Sequence, residues 1–151
     1  MSNKLSIMTV VVPSRKKVQV SNLVMFLLYY FYQMGANIEC DSTHCPPVLI
    51  SSKEGMQGGS IEVSGNVSSQ YLTALLMAAP LAHTPVTVTV KNGPLNSAPY
   101  VRMTMQMMRL FGIEVEADEG MSVFRVSPGQ YKSPGRYFVE GDASSASYFL
   151  A

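Results

Sequence analysis

The 151-residue chain has no tryptophan, two cysteines, two histidines and only 14% charged residues. Each shortage excludes something. Cys40 and Cys45 flank "DSTH", and with His44 they fit no common zinc spacing and lack a fourth ligand. Reduced structural thiols in a cytosol-like compartment are expected, and no metal. A net charge of +1 gives no steering toward nucleic acid or a membrane surface. The one short basic run, "SRKK" at 14–17, reads as a solvated loop. The longest apolar run, Leu23 to Tyr32, is too short to span a bilayer. No small-residue cleavage site follows it, so it is not read as a signal peptide. A Walker loop, a GxGxxG after a strand, a Ser–His–Asp order and paired histidine ligands are all missing from the sequence.

What is present is a well-buried globular composition, 47% hydrophobic, and an internal repeat. "MGANIEC" (34–40) resembles "FGIEVEA" (111–117), and "IEVSGNVSS" (61–69) resembles "YFVEGDASS" (137–145). Gly35 and Gly112 stand 77 positions apart, Gly65 and Gly141 stand 76 apart. Two pairs at nearly one offset indicate about two copies of one unit. A helix over 22–34 ends at Gly35. Strands are expected near 36–40, 47–52 and 60–64, a buried helix over 69–81, and a strand over 84–91 from the alternation in "TPVTVTVK". Tyr100 to Phe111 reads as a helix with Pro99 in its first turn, its Met103, Met107, Leu110 and Phe111 facing the core. Strands near 113–117 and 121–126 make a hairpin through "DEG", and a last strand at 136–140 leads to a helix from about Ser144. Read cyclically, the order is βαβαββ, an α/β (α+β) class. The final helix is so short at residue 151 that the chain reads as a fragment of something longer.

The chemistry-bearing candidates gather at helix starts. Ser68, Ser69 and Gln70 open the 69–81 helix, where unpaired N–H groups and the helix dipole favour an anion. A serine there also serves as a simple N-cap. Ser97 and Tyr100 stand at the start of the next helix, with Arg102 the nearest cation and most simply a solvated one. "GDASS" (141–145) repeats the first motif, but the carboxylate of Asp142 repels phosphate, so that copy reads as structural.

"SGNVSSQYLTALLMAAPLA", "SAPYVRMTMQMMRLFGIEVE" and "KSPGRYFVEGDASSASYFLA" closely resemble the 5-enolpyruvylshikimate-3-phosphate synthases, the 3-phosphoshikimate 1-carboxyvinyltransferases. The resemblance is good over 35–151, with three blocks in the right order. It implies the enolpyruvyl-transferase fold, two domains of three βαβαββ units each, usually monomeric. It implies transfer of the enolpyruvyl group of phosphoenolpyruvate to the 5-hydroxyl of shikimate 3-phosphate, with no metal or organic cofactor, in aromatic amino acid biosynthesis. By motif match, Ser68, Ser69, Gln70, Ser97 and Tyr100 stand at shikimate 3-phosphate ligands, with Gln70 also approaching phosphoenolpyruvate. No catalytic acid–base residue is carried over. The family's "GNAGTAMRP" and "RMRERP" segments are missing, and Val18 or Asn22 falls where the latter's phosphoenolpyruvate-binding arginine belongs. Residues 1–33 therefore read as a divergent segment, and 34–151 as a partial transferase domain. A bacterial cytoplasm or a plastid suits such a chain. The competing readings are a non-catalytic remnant or binding module of the same fold, and the related transferase acting on UDP-N-acetylglucosamine.

Overall fold

A computed structural model of the chain describes residues 9–10, 28–40, 48–51, 55–66 and 68–141. One complete βαβαββ unit occupies its centre. It runs β4 (Gly59–Ser64), α2 (Ser69–Ala78) closed by a 3-10 turn at Ala79–Leu81, β5 (Val86–Lys91), α3 (Ala98–Leu110), β6 (Val115–Ala117) and β7 (Val123–Val126). The sheet order is β4-β5-β7-β6, with β4 and β5 parallel and the other pairs antiparallel. A parallel pair needs a crossover, and α2 provides it. Ahead of this unit come α1, helical over 28–33, and a small antiparallel sheet of β1 (Thr9–Val10), β3 (Val48–Ser51) and β2 (Asn37–Cys40) in that order. The mixed α/β class and the unit's element order agree with expectation.

Strict alternation builds the core. Val86, Val88 and Val90 of β5 are buried, while Thr87 and Thr89 are only partly covered. Register places Ile61 beside Val88 and Val63 beside Val90, and Val88 beside Phe124. β-Branched residues in facing pairs are the unit of sheet stability. Leu72, Leu75 and Leu76 of α2, with Val101 and Met108 of α3, close over this face.

The repeat is visible in the backbone. At the end of α1, Gly35 N donates to Tyr32 O (2.9 Å) and Ala36 N to Phe31 O (3.0 Å). At the end of α3, Gly112 N donates to Arg109 O (3.0 Å) and Ile113 N to Met108 O (2.9 Å). Both are Schellman caps, and the glycines share φ values of 82° and 83°. Even the next contact repeats: Met34 O accepts from Gln57 N and Phe111 O from Lys132 N, both at 2.8 Å.

Three expectations are corrected. Residues 136–140 form no strand; Phe138 and Val139 are 89% and 87% exposed. A strand exists through its neighbours, and no described backbone lies alongside this one. Met103 and Leu110 of α3 are exposed, and Met107 and Phe111 half-buried, while Val101 and Met108 face the core. The apolar residues of α3 extend round more than one side, so spacing alone chose the wrong face. α2 is not buried all round, since Gln70 and Met77 are exposed on its far side. α1 is likewise amphipathic, with Tyr30 buried and Tyr29 and Tyr32 exposed. The expected helix from Ser144 and the Cys45 and His44 region lie outside the described residues. Among the described residues no cluster capable of holding a metal ion occurs, and no helix is long and apolar enough to cross a membrane.

The β6–β7 turn is organised by Asp118. Its carboxylate accepts from Ser122 N and Val123 N (both 2.7 Å) and from the Ser122 hydroxyl (2.6 Å). The Ser122 hydroxyl first, then the Val123 N–H, hold its pKa below the ordinary 3.8, because these bonds favour the ionised form. A depressed carboxylate pKa contributes stability above the unfolded-state value and loses it as pH falls through the folded value. Asp118→Ala should therefore lower Tm at neutral pH, with the gap to the parent chain narrowing below pH 3.8; thermal melts across pH check this. Phe124→Ala, at a fully buried position, should cost about 3–5 kcal/mol in denaturant unfolding.

Candidate functional site

Parallel pairing brings the C-terminal ends of β4 and β5 side by side, with Ser64 opposite Lys91. Each strand then turns into a helix, so two helix starts issue from one end of the sheet. In open α/β sheets this is where ligands bind. The two turns are joined directly. Gly65 N donates to Lys91 O (2.7 Å), Asn96 N donates to Gly65 O (3.3 Å), and the Asn96 amide reaches Asn66 O (3.5 Å). Gly65 has to be glycine, because a Cβ there would stand 2.6 Å from Gly93 O and 2.9 Å from Pro94 O.

The five expected site residues lie on these two starts. Ser68 is the N-cap of α2, its Oγ accepting from Gln70 N at 3.3 Å. The bond uses an oxygen lone pair and leaves the hydroxyl proton available to donate. Capping and gripping an anion are therefore compatible at one serine. Ser69 begins the helix and is buried, while Gln70 is exposed. Ser97 stands at the N-cap position of α3 but makes no side-chain capping bond. Its backbone is left-handed (φ 57°), a conformation that costs a non-glycine residue about 1 kcal/mol or more. Tyr100, in the first turn of α3, is 61% exposed. No acidic residue occupies the first turn of either helix. The free N–H groups and dipole ends are thus unopposed by carboxylates of their own helices.

Arg102 is exposed, one position further along α3 than the first turn. It lines a shallow cleft with Gln106, Arg109 and Glu114, away from the five residues. The cation beside the strand ends is Lys91, exposed and 3.5 Å from Glu62. The sequence assigned no site role to Lys91, Gly65 or Asn96, with Gly65 marked only as a point of the repeat. The glycine-asparagine pairs "GN" (65–66) and "NG" (92–93) were the available signal for a close turn-to-turn approach. Asp142, Ser144 and Ser145 lie outside the described residues.

The model of the EPSP synthase (3-phosphoshikimate 1-carboxyvinyltransferase) family matches residues 24–151. The chain belongs to this family. The match to the family includes the last ten residues of the 1–33 segment. A relative from Solanum lycopersicum, "3-phosphoshikimate 1-carboxyvinyltransferase, chloroplastic", is 57% identical over 79% of this chain and 23% of its own length. A Petunia hybrida protein of the same name is 53% identical over 93% of the chain and 27% of its own length. A Salmonella schwarzengrund 3-phosphoshikimate 1-carboxyvinyltransferase is 54% identical over 79% and 27%. The chain thus spans about a quarter of the length of these EPSP synthase relatives. An EPSP synthase structure from Acinetobacter baumannii superposes with a TM-score of 0.55 at 21% identity, over 71% of this chain and 22% of that one. That likeness supports the enolpyruvyl-transferase fold.

The two N-cap serines should behave differently. Ser68→Ala should cost about 1 kcal/mol of stability, whereas Ser97→Ala, which removes no capping bond, should change it by less than about 0.5 kcal/mol. Paired urea titrations of the two variants check the contrast.

Proposed function

We propose that this chain carries the shikimate 3-phosphate half-site of a 3-phosphoshikimate 1-carboxyvinyltransferase. In the complete reaction the enolpyruvyl group of phosphoenolpyruvate passes to the 5-hydroxyl of shikimate 3-phosphate and phosphate leaves. The observation that carries this reading is the joining of two carboxylate-free helix starts at one end of the sheet, each bearing hydroxyls. In this reading Ser68 and Ser69 donate to the substrate phosphate beside the unpaired N–H groups of α2. Ser97 and Tyr100 bring hydroxyls from the second start. Gln70 lies between the sugar-like acid and the phosphoenolpyruvate side. Such groups act by positioning and by fixed dipoles, and the reading needs no metal or organic cofactor.

The same reading makes the chain incomplete as a catalyst. No residue here takes an acid–base role, and the nearby cations, Lys91 and Arg102, are exposed. We place residues 34–151 as part of one transferase domain and 1–33 as a diverged segment, of which 24–33 still match the family. The setting is a bacterial cytoplasm or a plastid, with neither nucleic acid nor membrane as partner, and the full-length protein is monomeric.

The purified chain should shift or broaden the 31P resonance of shikimate 3-phosphate weakly and saturably, and Gln70→Ala together with Ser69→Ala should abolish the effect. Phosphate release from phosphoenolpyruvate and shikimate 3-phosphate should stay at the blank rate. Turnover at enzyme-like rates by the chain alone would refute the half-site reading, as would a 31P spectrum unmoved by excess protein.

A further inference from the structure

A polar pocket lies between α1 and β4. The helix is held at both ends of the strand. Just ahead of β4, Met34 O accepts from Gln57 N (2.8 Å) and Gly58 N (3.2 Å). At the far end the Ser64 backbone hydrogen-bonds the Tyr30 hydroxyl. Tyr29 and Gln33 stand four positions apart on α1 and so share one of its faces. Alternation turns Glu62 and Ser64 to the side of β4 away from Ile61 and Val63, which are buried. These four side chains, with Lys91 and Asn92 at the end of β5, enclose a pocket of about 450 Å³. None of the five anion-site residues lines it.

The pocket's charges balance. The Lys91 ammonium and the Glu62 carboxylate stand 3.5 Å apart, with side chains 53% and 70% exposed. An ion pair so open to water contributes little to folding and keeps donors and acceptors for a third group. Among the described residues no hydrogen bond engages the Tyr29 and Ser64 hydroxyls or the Gln33 and Asn92 amides. A dianion would be repelled by Glu62 and a dication by Lys91. An α-amino acid carries its ammonium and carboxylate on one carbon, so its charges stand about as far apart as these two. Laid head to tail against the pair, its ammonium meets Glu62 and its carboxylate meets Lys91, and both new contacts are charge-assisted. The two amides, each a donor and an acceptor, suit a side chain of the same kind. We propose that this pocket binds a free α-amino acid with a polar side chain. The two attachments of α1 along β4 fix the walls beforehand, which lowers the ordering cost of binding.

The test is a series of 1H–15N NMR titrations of the full 151-residue chain, with L-glutamine as the probe. The amides of Gln33, Glu62, Lys91 and Asn92 should shift saturably along one curve, while those of Ser97 and Tyr100 stay in place. N-acetyl-L-glutamine and L-glutamine amide each lack one of the two charges, and each should bind about tenfold more weakly or worse. Glu62→Gln and Lys91→Met should weaken L-glutamine binding by a similar factor, with Tm close to that of the parent chain. A spectrum unmoved by excess L-glutamine would overturn the proposal. So would equal affinity for N-acetyl-L-glutamine, which would show a cleft that reads amides and not charges, or tighter binding of glucose, which would show a polyol site. These ligand comparisons on the parent chain decide the matter even if a variant fails to fold.

Discussion

Everything described hangs on the parallel pairing of β4 with β5. Six consecutive registers hold the two strands together, and the Gly65 N to Lys91 O bond extends the joining past the last of them. The buried side of that pair, Ile61 and Val63 against Val88 and Val90, receives α2 and α3. The same pairing points both strands one way, so both helices start at the same edge. A binding edge and a hydrophobic core are thus two consequences of one interaction. A side chain at Gly65 would put a Cβ against the carbonyls of 93 and 94 and push the helix starts apart, leaving the core largely intact.

The repeat gives the molecule a second level of order. The caps at Gly35 and Gly112, the carbonyls of Met34 and Phe111 and the strands after them repeat closely. The copies then diverge where neighbours differ. β4 is a strand because β5 lies beside it, while 136–140 has no described partner and stands exposed. Tyr30 and Met34 of α1 are buried in the core cluster that holds the α2 leucines, while the matching side of α3 opens on a groove. Local sequence is similar in the two copies; context decides the outcome.

That contrast explains what could be read beforehand. The alternating valines of β5, the helix-ending glycines and the "DEG" turn carry their structure in short-range physics, and they appear where periodicity places them. The inward face of α3 did not, because methionines and leucines stand on several sides and only the sheet beneath selects Val101 and Met108. The 136–140 strand failed for the same reason, since edge pairing is not a local property. At the site, the helix starts bearing Ser68 and Ser97 were legible from their spacing, Pro99 and the serines themselves. Their junction was not. It rests on Gly65 and Asn96, two residues 31 positions apart whose meeting follows from the crossover. The capping role of Ser68 was foreseen as a rival to binding, and hydroxyl geometry removes the rivalry.

The central claim is that the two helix starts act as one anion site. Amide 1H–15N spectra of the chain during a shikimate 3-phosphate titration test it most directly. The account predicts that Ser69 and Gln70 on α2 and Ser97 and Tyr100 on α3 shift together along one binding curve. Shifts confined to one helix start, or two curves with different midpoints, would contradict it.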